Sequence, residues 1–383
     1  MTSLQSGLYR NEFSHIDDNI YLNHCALGPI PERSFKAAET HLKERSSGAI
    51  DSFELDEPVM QTCRRNAARL VNSPSEEQIA LISNTSHGLN LICAEMPWEK
   101  GDEIILSDIE FPTNIYPYIH STGGKTKVIK VDGSDGKVPV ERIEDAITPR
   151  TKVIAVSAVQ FLSGYRADLE TIGRICKKNG IYLIVDAIQA AGCCPLDVQR
   201  MQIDALVTGG HKWLLSLQGT GFMYISPEFQ KQLQPAYAGW LSVEEPWDLL
   251  NTDQPLAGGA VRYEGGMYNG PGVHVLKHSL QLLLDAGVDN IYHHTVSLQN
   301  HFLSLIAQDT VSVYGADDDA NRSGILALRL PPNTDGESVI TQFKDAAITV
   351  SIRENILRIA PHLYNTKNEI EQAAEVLQNV PVQ

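Results

Sequence analysis

At 383 residues, with 43% hydrophobic and 20% charged side chains, the chain has the make-up of a globular protein with one large domain and one smaller one. Its formal net charge of -16 argues against a nucleic-acid partner, because phosphate backbones demand a basic surface. No apolar run approaches the roughly 18 residues of a membrane span, the start Met-Thr-Ser-Leu-Gln-Ser-Gly lacks a secretory profile, and six cysteines without C-x-x-C spacing read as reduced thiols, so the expected setting is cytoplasmic and off the membrane.

In chain order, Ile20-Tyr-Leu-Asn-His-Cys-Ala-Leu-Gly-Pro-Ile-Pro31 reads as a short strand running into a Gly/Pro turn, whose polar cluster Asn23, His24 and Cys25 either simply forms the turn or makes a loop over an active-site mouth. Ser34 to Ser47 and Glu57 to Val71 look helical. From residue 76 the pattern alternates between short apolar runs and helical spacings. Strands are predicted at Gln78–Ser83, Glu103–Ser107, Lys127–Val131, Val153–Ser157, Ile181–Val185 and Ala205–Val207. Helices fall between them, at Ser86–Ala94, Asn114–Ser121, Val140–Ile147 and Leu169–Lys178. That alternation implies βαβ units and a mostly parallel sheet of the seven-stranded type between helices. Gly221–Ile225 follows too closely for a crossover helix and reads as antiparallel. Pro235 to Gly272 is the longest irregular region, a length that is usually functional.

Beyond residue 275 the texture becomes that of a small α+β unit. It has a long amphipathic segment from Val275 to Ala286 leading into a helix from Val288 to Gln308, then a strand at Gly324–Leu330 and a helix at Glu337–Ala346. Strands at Ile348–Ile352 and Ile356–Ala360 and a helix at Lys367–Gln378 complete it. The predicted division is a segment 1–30 packing with the small domain and the active-site mouth, a large domain 31–275 and a small domain 276–383.

Two strand ends carry the chemistry. Ala205-Leu-Val-Thr-Gly-Gly-His-Lys-Trp-Leu214 delivers Lys212 where a buried strand stops. Read alone, Lys212 is a solvated loop lysine. The strand Ile181-Tyr-Leu-Ile-Val-Asp186 ends on a carboxylate, and such ends are where α/β proteins bind ligands. Together they suggest a pyridoxal phosphate (PLP) site, the lysine forming the Schiff base and Asp186 pairing with the pyridinium nitrogen. Asn84-Thr-Ser-His87, between a strand and a helix, offers the Thr85 and Ser86 hydroxyls and first-turn amides to an anion. Phe111, held extended before Pro112, can stack on a planar ring. Gln189 is spaced to face the same side as Asp186, and His211 stands next to the lysine as a phosphate contact or a loop histidine. Arg358 interrupts an apolar strand, which is uncommon unless its guanidinium binds a carboxylate.

These residues resemble the class V aminotransferase family of fold-type I PLP enzymes. That family includes cysteine desulfurases, selenocysteine lyase, isopenicillin N epimerase-like proteins and kynureninase. The likeness runs from about Ile20 to Val376. It is strongest at Val185-Asp-Ala-Ile-Gln189, at Gly210-His-Lys-Trp213 with Gly219-Thr-Gly221, and at Leu357-Arg-Ile-Ala-Pro-His-Leu-Tyr-Asn-Thr366. The resemblance implies a homodimer with a shared active site. It makes Lys212 the Schiff-base lysine, Asp186 the pyridinium partner and Gln189 a ring-oxygen contact, with Thr85, Ser86 and His211 on the phosphate. Arg358 would bind the substrate α-carboxylate, with His24 beside it. The segment Tyr263-Glu-Gly-Gly-Met-Tyr-Asn269 would reach the partner's phosphate site through Met267.

Three departures stand out. Phe111 occupies the place of the histidine that desulfurases stack on the ring. Arg353-Glu-Asn355 supplies no persulfide-forming cysteine before the late arginine. Gly209 and Met267 replace a serine and a threonine. The expected activity is that of an aminotransferase or a β-lyase/hydrolase on a small amino acid. Epimerase or racemase chemistry and desulfurase or selenocysteine-lyase chemistry are the alternatives. A non-catalytic α/β binding protein is disfavoured because Lys212 and Asp186 are both kept. A Rossmann dehydrogenase lacks its G-x-G-x-x-G, and His293-His294 has no spaced partners for a metal.

Overall fold

The computed structural model describes residues 6–48, 50–51, 53–306 and 311–379. In chain order the elements are β1 (Ile20–Tyr21), α1 (Glu32–Ser47), α2 (Phe53–Leu70), β2 (Ile79–Leu81), α3 (Thr85–Glu95), β3 (Asp102–Ser107), α4 (Tyr116–His120) and β4 (Thr126–Val131). They continue with α5 (Val140–Asp145), β5 (Thr151–Ser157), α6 (Leu169–Asn179), β6 (Tyr182–Asp186), β7 (Ala205–Gly209), β8 (Gly221–Ile225) and α7 (Pro227–Gln230). After a long irregular stretch come α8 (Gly270–Ala286), α9 (Val288–Leu305), β9 (Ser312–Val313), β10 (Leu326–Arg329), α10 (Gly336–Asp345), β11 (Ile348–Thr349), β12 (Ser351–Arg353), β13 (Ile356–Ile359) and α11 (Lys367–Gln378). The helix predicted to end at Gln308 stops at Leu305, because the next residue, Ile306, is already extended; the rest of the predicted span lies outside the described residues.

A seven-stranded sheet in the order β2-β8-β7-β6-β5-β3-β4 forms the centre. Among the described strands of this sheet β8 alone runs opposite to the other six, as the short Lys212–Gly221 link demands. The inner strands β6, β7 and β8 are mostly apolar and buried because both faces are covered, whereas the edge strand β4 carries two lysines and is partly exposed. Leu183, Val185 and Leu206 point into one core, whereas Ile184, Ala205 and Val207 point into the other. Helices end where local chemistry stops them. Asp168 caps the start of α6 by accepting from the Thr171 N–H, and Gly180 closes it in the left-handed region at φ 68°.

A four-stranded antiparallel sheet, β12-β13-β10-β9, packs with α9, α10 and α11 around its own apolar cluster. The predicted strand Ile348–Ile352 divides here. Its first part pairs with β1, and Ser351–Arg353 turns to pair with β13. The β1–β11 pairing is parallel, Ile20 opposite Ile348, and a further bridge joins Asn23 to Ala360. The amino-terminal turn is thereby seated on the carboxy-terminal sheet. Among the described residues no helix is long and apolar enough to cross a membrane.

Candidate active site

The loops leaving the carboxyl ends of β2, β3, β5, β6 and β7 converge on one cavity of about 290 Å³. In open α/β sheets that edge collects ligands at the point where strand order reverses. Here the chain runs outward through β3 to β4, then returns to β5 on the other side of β3. Phe111 follows β3 and Phe161 follows β5, and their rings meet edge to face at 5.2 Å. Asp186 ends β6, and Lys212 follows β7. Its Nζ lies 5.7 Å from the centre of the Phe111 ring. Two residues that sequence reasoning placed a domain apart, Arg353 and Arg358, close the cavity from the small sheet.

Burial sets the electrostatics. Asp186 is 2% exposed, and one oxygen accepts the Ile188 N–H at 3.0 Å. Loss of water pushes its pKa up to about 7, the nearby Glu110 adding to that rise while Lys212 opposes it. The same loss of water lowers the pKa of Lys212 against the pull of Asp186, which favours a neutral amine. His211 is also lowered, first by burial and then by the adjoining lysine.

Arg358 is 2% exposed. It donates to the Phe161 carbonyl at 2.8 Å and to Ser351 Oγ at 2.9 Å, while its buried Nε has no partner. Among the described residues no carboxylate pairs with it, unlike Arg64 or Arg33. Burial draws its pKa down. A buried guanidinium without a counter-ion is costly, so its surroundings favour a bound anion.

The anion turn is also present. Asn84 caps α3 by accepting the His87 N–H at 2.8 Å. The amides of Thr85 and Ser86, in the first turn, have no partner within the helix. The buried Thr85 Oγ1 has no hydrogen bond, and Ser86 Oγ meets Thr113 Oγ1 at 2.8 Å. Of the predicted residues, Thr85, Ser86, Phe111, Asp186, Gln189, His211, Lys212 and Arg358 line the cavity.

Gln189 lines it with its amide largely committed. Its Nε2 donates to the Cys25 carbonyl at 2.9 Å and its Oε1 accepts from Trp213 Nε1 at 2.8 Å. His24 does not reach the cavity. It is wholly buried, with Nδ1 2.7 Å from the Ala360 carbonyl and Nε2 3.0 Å from the Tyr364 hydroxyl. Burial, followed by the neighbouring His362, holds its pKa well down, so it is a neutral core histidine. The bridge from Asn23 to Ala360 carries it under the turn, and the next residue, Cys25, faces the cavity instead. Met267 stands apart, 73% exposed beside a second cavity.

Sequence reasoning missed Thr113, Phe161 and the support behind Phe111. That support is the buried Glu110, which accepts from Ser157 N at 2.9 Å, Gln160 Nε2 at 2.6 Å, Asn114 Nδ2 at 3.0 Å and the Ser157 hydroxyl. A lone Glu before Phe-Pro carries no pattern that would have marked it. The hairpin before Arg358 is equally informative. Glu354 and Asn355 both have positive φ, 48° and 61°, and form a two-residue turn between β12 and β13. It has no room for a cysteine-bearing loop.

The class-V aminotransferase family model matches residues 20–372. A probable cysteine desulfurase of Methanothermobacter thermautotrophicus is 26% identical to the chain, over 97% of each. The apo structure of a cysteine desulfurase from Thermococcus onnurineus superposes with a TM-score of 0.88 at 22% identity, covering 99% of this chain and 98% of its own. A structure of C-DES with glycine covalently linked to its PLP cofactor superposes at 0.86 and 19% identity, over 97% and 99%.

Proposed function

The chain belongs to the class-V aminotransferase family and is a PLP-dependent enzyme, and we propose that Lys212 holds the cofactor while Arg358 binds the α-carboxylate of a small amino acid. PLP, when bound, acts as an electron sink for charge developed at the substrate Cα. Asp186 keeps the ring nitrogen protonated, and a cationic partner there relieves the burial that otherwise raises its own pKa to about 7. The phosphate is held by the free amides and hydroxyls of Thr85 and Ser86, with His211 alongside. Phe111 covers one face of the ring, and the Glu110 network fixes the loop that carries it. Gln189 contributes the N–H that its two structural bonds leave over. Burial lowers the Lys212 pKa, and once the substrate amine displaces it from the cofactor its Nζ would be placed to take the proton from Cα as general base.

One observation carries this reading: a buried arginine with no carboxylate partner among the described residues shares a cavity with a desolvated lysine and a strand-end aspartate. The reaction classes we favour are amino-group transfer and β-elimination or hydrolysis, with epimerisation next. Desulfuration is supported by the names of relatives, and by the Cys25 thiol that lines the cavity even though the hairpin before Arg358 has none. We assign residues 31–275 to the cofactor-binding body, 276–383 to the small one and 1–30 to the segment joining them. A cytoplasmic homodimer in which Met267 reaches the partner's phosphate site completes the proposal.

The purified protein should show the visible absorbance of lysine-bound PLP, and Lys212→Ala should abolish it. A wild-type protein that shows no such band after PLP is added sinks the assignment. Amino acids screened against the holoenzyme, scored for pyruvate, ammonia, sulfide and amino transfer, separate the reaction classes.

A further inference from the structure

A second constellation lies outside the cofactor cavity, where α1, α2 and the first turns of α8 meet. One ring nitrogen each from His41 and His274 and a carboxylate oxygen of Asp56 lie within 4.8 Å of one another. His274 Nε2 is 2.8 Å from Asp56 Oδ1, and His41 Nδ1 is 3.5 Å from the same oxygen. The two imidazole rings sit 4.6 Å apart. His41 and Asp56 are 4% and 3% exposed, while the His274 side chain is 20% exposed and leaves a path to solvent.

A hydrogen-bonded His-Asp-His network accounts for His274 but not for His41. The 3.5 Å contact of His41 is too long for a good hydrogen bond, and its buried Nε2 has no partner. That nitrogen faces a small space kept by Gly270, the first residue of α8. A Cβ on Gly270 would lie 2.9 Å from His41 Nε2 and 3.7 Å from Asp56 Oδ2. The unmatched nitrogen and the carboxylate therefore look onto the same volume.

We propose that His41, Asp56 and His274 bind a divalent transition-metal ion of the zinc type, at a site separate from the cofactor. Two neutral imidazoles and a carboxylate are a donor set that zinc favours, and three protein ligands leave a position for water. Zinc holds such ligands at about 2.0–2.2 Å, hence about 3.3–3.5 Å from one another, so small side-chain rotations from the present spacing suffice. No spacing rule could reveal the set, because each ligand comes from a different helix. The ion pins the start of α8 to α1 and α2. It thereby anchors the exposed stretch carrying Met267, three residues upstream of Gly270.

The test uses untagged, PLP-loaded full-length protein, treated with chelator, desalted and equilibrated in buffered micromolar zinc. Wild type should retain about one zinc ion per chain by elemental analysis, and zinc should raise its melting temperature. His274→Gln and His41→Gln should each bind at least about tenfold more weakly while keeping the visible cofactor band. Should His41→Gln fail to fold, the more exposed His274→Gln decides. Wild type that holds no zinc, or zinc held equally by wild type and His274→Gln, overturns the proposal.

Discussion

A carboxylate kept from water is a liability until it meets a cation, and Asp186 is in that position. Its pKa of about 7, against an ordinary 3.8, means the folded protein holds this proton more tightly than the unfolded chain. The sign follows from linkage. The stabilisation is fully present below about pH 4 and is lost as pH rises through about 7, on the order of 4 kcal/mol in all. Cofactor-free Asp186→Asn should therefore melt above cofactor-free wild type at pH 8, with the gap closing near pH 4. With PLP present, wild type should regain the advantage, because only the aspartate pairs with a protonated ring nitrogen. Thermal melts at the two pH values, with and without PLP, check both halves; equal melting temperatures at pH 8 without PLP count against the burial argument. Asp186 and Lys212 were legible in the sequence because each terminates an apolar run with a charge. Arg358 was legible for the opposite reason, a charge inside such a run. Phe161 and Thr113 were not, since an aromatic or a threonine in a loop has many ordinary uses. His24 was misread by one position: a polar pair on a turn does not say which member faces inward, and the bridge to Ala360 decides it for Cys25.

At the level of elements, the parallel core followed directly from alternating apolar runs and helical spacings, and even the reversal of β8 could be inferred from the shortness of its link. What periodicity could not disclose was a strand changing partners. Ile348 to Ile352 reads as one run, yet Val350 is the joint between a pair with β1 and a place in the small sheet. Nor could it disclose how the exposed edge of the main sheet is closed. β2 is an edge strand, and the outward N–H of Leu81 is taken by Glu264 Oε1 at 2.9 Å. The same carboxylate grips Arg64 of α2 at 2.8 and 2.6 Å. Glu264 thus ties strand, helix and the irregular stretch together at once. Glu264→Gln leaves the buried Arg64 short of its principal counter-charge and should cost about 3 kcal/mol. Denaturant unfolding should register that loss as a lower midpoint, and an unchanged midpoint would show that the edge is held by packing alone.

For the whole molecule, the acidic exterior coexists with a pocket whose positive charge comes from Arg353 and Arg358. A pocket of that sign attracts anionic groups despite the acidic exterior. The surface is not uniformly polar, however. Trp247, Leu249 and Leu250 are 59%, 65% and 95% exposed on the same irregular stretch that ends in Met267. Large apolar side chains gathered in this way mark an interface. Light scattering should give the mass of a homodimer at micromolar concentration, and the double substitution Leu249→Glu with Leu250→Glu should release monomers with weakened PLP retention. A wild-type monomer that still carries PLP would remove the shared-site part of the proposal. The seating of the amino-terminal turn has a consequence for how the protein is made. The Gly28 N–H binds the His211 carbonyl at 2.8 Å, and a Cβ on Gly28 would collide with the Lys212 carbonyl at 2.1 Å. That turn is held in place by β11 and Ala360, segments near the far end of the chain. During synthesis the lysine loop must therefore wait, its covering absent, until the ribosome has nearly finished. The capacity to capture cofactor is thus one of the last properties a nascent chain acquires.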